Sequence, residues 1–121
     1  MMNPKALQHA ALVGTLLQIA MVMLGHFVPW VALNVFMFGG VAISALAGLL
    51  YAREAAAGYG PGALGGAIAG AVCALIGIAF SVLLGDTPAM ILAIGTISSG
   101  VTGAVGGLIG QAMTGPRKAS A

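Results

Sequence analysis

Polar and apolar positions follow one another along this chain in long blocks, without the two-residue alternation of a half-buried strand. Four basic and two acidic side chains, Lys5, Arg53, Glu54, Asp86, Arg117 and Lys118, bound the uncharged stretches Ala6–Ala52, Ala55–Gly85 and Thr87–Pro116. A helix that crosses the hydrocarbon core of a bilayer needs about 20 apolar residues. The first stretch is long enough for two such helices, and each of the others for one. Breaks come from local chemistry. Pro29, between His26-Phe27 and Trp30, forms a proline and aromatic cluster suited to an interfacial turn. Tyr51-Ala52-Arg53-Glu54 ends the next span, and Gly58-Tyr59-Gly60-Pro61-Gly62 is a flexible turn by composition. Asp86-Thr87-Pro88 is a turn in which Asp86 or Thr87 can cap a helix ahead of Pro88. Gly115-Pro116 stops the last helix. The pattern predicts spans over 6–28, 30–52, 62–85 and 88–113, with a short polar tail at 114–121.

The fold class that follows is an all-α membrane protein, a single domain of four transmembrane helices arranged as two hairpins. Composition makes the membrane reading firm. Of 121 residues, 60% are hydrophobic and 5% charged, whereas soluble domains carry roughly 25% charged residues. The start of the chain, with Lys5 ahead of an apolar run, loosely resembles a signal peptide. That run is a full span long, and Gly25-His26-Phe27-Val28-Pro29-Trp30 offers no small-residue cleavage site, so it is read as a retained helix.

Passing the four spans back and forth across a membrane puts Lys5, Arg53, Arg117 and Lys118 on one side. Asp86 lies on the other, which has no Lys or Arg. The cytoplasmic bias of Lys and Arg places both termini and the 53–61 loop in the cytoplasm of a bacterial-type inner membrane. A net charge of +2, without a basic patch interleaved with aromatics, argues against nucleic acid as a partner. The expected partners are the lipid bilayer, a second copy of the chain or other membrane proteins. Cys73, the single cysteine, falls inside a span and cannot form an intrachain disulfide.

Small residues recur at four-residue spacing. The second span carries Gly40, Ser44, Gly48 and Ala52. The third carries Gly62, Gly66 and Gly70, followed by Ala74 and Gly77, and the fourth carries Gly95, Ser99, Gly103 and Gly107. Helices in lipid gain little from burying apolar surface against one another, so close backbone approach at such stripes is what favours their association. These seams predict a glycine-rich, tightly packed bundle. The first span offers Gly14 at mid-helix and leans on Leu, Met and Gln18, which suits a peripheral helix or one facing a partner. Whether the seams close within one chain or between chains is open at this level. Aligning Pro29 on Pro88 also places TLLQIAM (15–21) over ALIGIAF (74–80) and SALAGLL (44–50) over GAVGGLI (103–109). This is read either as a tandem repeat, 9–53 and 68–112, or as convergence of Ala, Gly and Leu composition.

One stretch imitates a nucleotide-binding loop. Gly60-Pro61-Gly62-Ala63-Leu64-Gly65 matches G-x-G-x-x-G, but Arg53-Glu54-Ala55-Ala56-Ala57 before it is no strand, and Pro61 lacks one of the required N–H groups. Its glycines are read as a turn followed by a packing seam. No Asp, Glu, Lys or Arg lies at mid-span, which argues against an intramembrane proton relay and against an enzyme. Glu54 and Asp86 belong on opposite sides and cannot form a paired carboxylate site. His9 and His26 are about 25 Å apart on one helix, so they share no metal within a chain. Each is read as an interfacial histidine bonded to headgroups or loop carbonyls, and His26 with Met23 supplies too few ligands for a soft metal. No cofactor is expected.

Gln18, near the middle of the first span, stands out because a primary amide in hydrocarbon needs partners. It is read as interhelical glue, contributing about 1 kcal/mol. In the alternative, it lines a polar path with Thr96, Ser98, Ser99 and Thr102 on the fourth span, extended by Asn34. Two functional readings result. The first is a non-enzymatic structural or accessory protein packing in a homo-oligomer or larger membrane complex. The alternative is a small transporter or channel along the Gln18 path, with a holin-like pore as a weaker third.

Overall fold

The computed structural model describes residues 3–114. Arg117, Lys118 and the Gly115-Pro116 stop lie outside the described residues. The described chain is helical, in the order α1 (Pro4–Phe27), α2 (Pro29–Asn34), α3 (Phe36–Ala55), α4 (Tyr59–Leu83) and α5 (Met90–Thr114). Helices α1, α4 and α5 are each long and apolar enough to cross a membrane, which marks a small, all-α, multi-pass membrane protein.

Local chemistry explains the boundaries. The Asn3 side chain accepts a hydrogen bond from the Ala6 amide at 3.1 Å and Pro4 occupies the first turn, an arrangement suited to a helix start. Val28 is extended (φ −123°, ψ 92°), as favoured for a residue before proline, and this separates α1 from α2. The expected second span, 30–52, is divided. Val35 interrupts it between Asn34 and Phe36, while the Val35 amide still reaches the Val31 carbonyl at 2.8 Å and the Gly39 amide reaches the Val35 carbonyl at 2.6 Å. A stiff β-branched residue followed by Gly39-Gly40 weakens the helix at that point.

The turn expected at Gly58–Gly62 is shorter than its composition suggested. Ala56 takes the left-handed conformation (φ 48°), Gly58 follows at φ 110°, and α4 already begins at Tyr59. Pro61 is tolerated there because amides in a first helical turn have no intrahelical partner to lose. The Gly58 amide donates to Gln111 Oε1 at 3.2 Å, tying the turn to the far end of α5. At the opposite end, Gly85 (φ 81°) closes α4. Its amide bonds the Val82 carbonyl and the Asp86 amide bonds the Ser81 carbonyl, each at 3.0 Å, the two bonds of a Schellman stop. Asp86 and Thr87, expected as helix caps, direct their side chains instead to His26 and Ser81.

Buried positions trace one face of α1, namely Ala6, Ala10, Gly14, Gln18, Val22 and Gly25. Side chains four apart stack on the same face of a helix, so this row docks α1 on α3 and α4. Among the described residues α1 does not pack on α5. Gly14 lies against Cys73 and Gly77 lies against the Gln18 stem. Both pairs are positions superposed by the Pro29-on-Pro88 alignment, so α1 and α4 run parallel at matched depth.

Helices α3, α4 and α5 meet backbone to backbone. A Cβ added at Gly103 would collide with the Gly66 carbonyl oxygen, one at Gly107 with the Gly62 oxygen, and one at Gly106 with the Ala45 oxygen. These contacts all lie in the half of the bundle near Glu54. In α5 the buried residues begin only at Ser99 and continue through Gly103, Gly106, Gly107, Gly110 and Gln111. Toward Asp86, the nearest neighbours of a Cβ added at Gly95 are side-chain atoms of Ile78 and Ile91, not backbone. The helices therefore close tightly over one half and diverge over the other.

Candidate functional site

The divergence leaves a cleft of about 580 Å³ among α1, α3, α4 and α5. Its floor is a polar knot at mid-bundle. Gln18 is 2% exposed, and its Nε2 donates to the Gly40 carbonyl at 3.1 Å and lies 3.4 Å from Ser44 Oγ and 3.9 Å from Cys73 Sγ. Ser44 Oγ donates to the Gly70 carbonyl at 3.2 Å, and the Cys73 thiol donates to the same oxygen at 3.3 Å. One amide thus joins three helices where unsatisfied polar groups are expensive. Ser99, buried on α5, completes the floor beside Ala74 and Gly77.

Above the floor the walls are apolar, formed by Met21, Val22, Val41, Ile78, Ile91 and Ile94, with Ser98 on α5 as a polar exception. The mouth is polar. Asp86 Oδ2 stands 2.7 Å from His26 Nδ1, with 24% of the Asp86 side chain and 35% of the His26 side chain exposed. His26 also packs edge-on against Phe27, with ring centroids 5.1 Å apart. Ser81 Oγ and Thr87 Oγ1 lie 2.6 Å apart. The cleft thus presents a carboxylate and hydroxyls at its opening, aliphatic walls, and an amide and hydroxyl at its base.

Of the residues proposed for a polar path, the structure brings Gln18, Ser98 and Ser99 into this cleft and leaves the others aside. Asn34 is exposed at the end of α2, where its Nδ2 donates to the Trp30 carbonyl at 3.0 Å. The Thr102 hydroxyl bonds the Ser99 carbonyl of its own helix at 3.1 Å, a common habit of hydroxyls in membrane helices. Thr96 Oγ1 is buried without a hydrogen-bond partner in the described structure. Among the seam residues, Gly40, Gly77 and Gly95 line the cleft. Ser44 joins the knot, while Gly48, Gly62, Gly66, Gly70, Gly103 and Gly107 sit at helix contacts.

Reading the spans one at a time overlooked Asp86, Thr87, Ser81 and His26 as a group. The signal was present in the topology, which puts His26 and Asp86 at the same end of the bundle. Both histidines stand beside carboxylates. At the opposite end, His9 Nδ1 lies 3.0 Å from Glu54 Oε2, with side chains 63% and 42% exposed. An exposed pair of this kind contributes about 0–1 kcal/mol. His9→Ala is therefore expected to leave the thermal unfolding midpoint in mild detergent nearly unchanged. A large drop would show that the pair holds α1 to α3.

Among the described residues no three His, Cys, Asp or Glu side chains gather to hold a metal. The glycines of the G-x-G-x-x-G stretch also have structural surroundings. Gly65 lies against the Tyr51 ring, Gly62 lies near the Gly107 carbonyl, and Gly60 faces open space. The Gly58 amide at the start of α4 is already bound to Gln111. The chain matches no protein-family model, no curated protein and no solved structure.

Proposed function

We propose that this chain is a non-enzymatic, four-span membrane protein that admits a small solute into the cleft between its helices, as a small transporter or channel does. In this reading α2 and α3 together form the span between α1 and α4, and the spans make two hairpins with both termini in the cytoplasm of a bacterial-type inner membrane. Lys5 and Arg53 share the Glu54 end of the bundle, which the bias of basic residues assigns to the cytoplasm. The cleft then opens on the other side.

The observation that carries this reading is the gathering of Gln18, Ser98 and Ser99 in one cavity that reaches from mid-bundle to the Asp86 mouth. Ligand sites commonly enclose about 300–1,000 Å³, with mostly apolar walls and a few placed polar groups. The structural or accessory reading ranks second. A small-residue seam left outward would favour an oligomer, whereas Gly48, Gly66, Gly103 and Gly107 face helices of the same chain. Partners that pack by larger side chains remain compatible with it, and stoichiometric co-purification of a second protein in mild detergent would favour it.

Water access tests the cleft. In a Cys73→Ala background, Ser98→Cys is expected to react with a charged, membrane-impermeant thiol reagent from the non-cytoplasmic side of sealed vesicles. Thiols react as thiolates, which form readily only where water reaches them. Ser98→Cys that stays unreactive from both sides would refute the solute cleft. Reaction from the cytoplasmic side alone would reverse the orientation.

A further inference from the structure

The solute class can be read from the chemistry of the mouth, on the premise that the cleft takes a solute at all. We infer that the cleft binds an amphipathic organic monocation, with an ammonium-type head beside Asp86 and an apolar body between the aliphatic walls.

Charge complementarity selects the head. Asp86 lines the opening and is its only acidic residue, and among the described residues no Lys or Arg lines the cleft. Among the described residues the cations Lys5 and Arg53 lie on the first turn of α1 and the last turn of α3, at the opposite end of the bundle. Among the described residues, His26 is the one titratable side chain bonded to Asp86, through Oδ2. The mouth therefore carries negative charge whenever His26 is neutral. With 24% of its side chain exposed, Asp86 is partly withdrawn from water beside a low-dielectric cavity, where a charge pair is screened less than at an open surface. The same setting repels an anion.

The walls select the body. Val22, Val41, Ile78, Ile91 and Ile94 offer aliphatic surface to an alkyl or aryl group, whose transfer from water is favourable in proportion to the area covered. A small, strongly hydrated inorganic cation would leave that surface uncovered. At the base, Gln18 and Ser99 can accept or donate one further hydrogen bond to a polar tip on a longer body.

The test holds the apolar part of the probe constant and varies its head. Octyltrimethylammonium, octanol and octanesulfonate are titrated calorimetrically into the full chain in phosphatidylcholine nanodiscs, with empty nanodiscs as the blank. The expected result is saturable binding of one ammonium probe per chain, at least about tenfold tighter than octanol, with the sulfonate weakest. Asp86→Asn, similar in shape but uncharged, is expected to erase the preference for the cation while octanol still binds. His26→Ala is expected to retain or strengthen cation binding, because it frees Asp86. Helical circular dichroism verifies that each variant is folded, and the cation-to-octanol ratio in the unaltered protein needs no variant. Equal binding of cation and octanol, or a preference for the sulfonate, would overturn the cation assignment and leave the solute cleft standing. Absence of saturable binding by all three probes would overturn both.

Discussion

Replacing Gly103 with leucine is expected to lower the stability of the bundle by about 3 kcal/mol or more, at the upper end of what overpacked cores lose. The reason is geometric. A Cβ on Gly103 would collide with the Gly66 carbonyl oxygen and lie 3.1 Å from the Gly66 carbonyl carbon and from the Gly70 Cα. These neighbours are backbone atoms of α4, so no rotamer change relieves the contact and α4 and α5 must separate. Separation would also loosen Gly62 from Gly107 and Ser99 from Gly70, because all lie along the same antiparallel contact. Alanine makes the comparison sharper. In an ordinary helix, Gly→Ala gains up to about 1 kcal/mol from backbone propensity. Gly100, whose added Cβ would meet its neighbours at ordinary van der Waals distance (Ala71 Cβ 3.7 Å, Ala67 oxygen 3.8 Å), is expected to show a neutral or slightly stabilising effect on conversion to alanine. Gly103→Ala is expected to be destabilising, because the clash outweighs that gain. Thermal unfolding in mild detergent, followed by circular dichroism, measures both. Equal midpoints for Gly103→Leu and the unaltered chain would refute backbone contact between α4 and α5.

Tyr51→Ala is the second substitution with a large expected effect. Among the described residues Tyr51 is the largest of the fully buried side chains. Its ring occupies the space beside Gly65, and its hydroxyl accepts a hydrogen bond from the Asn3 amide at 3.0 Å. Truncating a buried aromatic to alanine costs about 3–5 kcal/mol through lost contacts and the cavity left behind. Tyr51→Phe keeps the ring and removes the hydroxyl, a change of about 1 kcal/mol for a typical hydrogen bond. The expected order is therefore Tyr51→Ala far below Tyr51→Phe, which falls slightly below the unaltered chain. Chemical unfolding in detergent reads this order. Near-equal effects of the two substitutions would mean that Tyr51 acts mainly through its hydroxyl.

Tyr51 and Gly65 also show where single-helix reading stops. In the sequence, Gly65 belongs to a formal phosphate-loop pattern and Tyr51 to the polar end of a span. Only when α3 packs on α4 does the missing Cβ of Gly65 become the space that receives the Tyr51 ring. Gln111 behaves similarly. It lies near the end of an apolar run and carries no motif, yet it is 1% exposed and binds the Gly58 amide across the turn between α3 and α4. The candidate site was half legible. Gln18 and the hydroxyls of the fourth span could be singled out because polar groups in hydrocarbon are costly. Thr102 could not be separated from Ser99 without knowing which face of α5 meets its neighbours. His26 and Asp86 were each visible, and their pairing was not.

By itself, the sequence determined that the chain is helical and lives in a membrane. That conclusion depends only on the solvent, since long uncharged stretches dissolve in hydrocarbon and must satisfy their backbone bonds internally. The sequence also marked turns at Pro29, Gly58–Gly62 and Asp86–Pro88, because backbone restrictions act locally, and the structure set the second at Ala56–Gly58 and the third at Gly85. The tertiary structure alone decided which half of the bundle closes and which opens. Small-residue stripes permit close approach to more than one neighbour, and the rotation and crossing of each helix choose among those partners. Those same rotations brought Gln18 under Ser44 and Cys73, and Asp86 to His26, and so created the cleft.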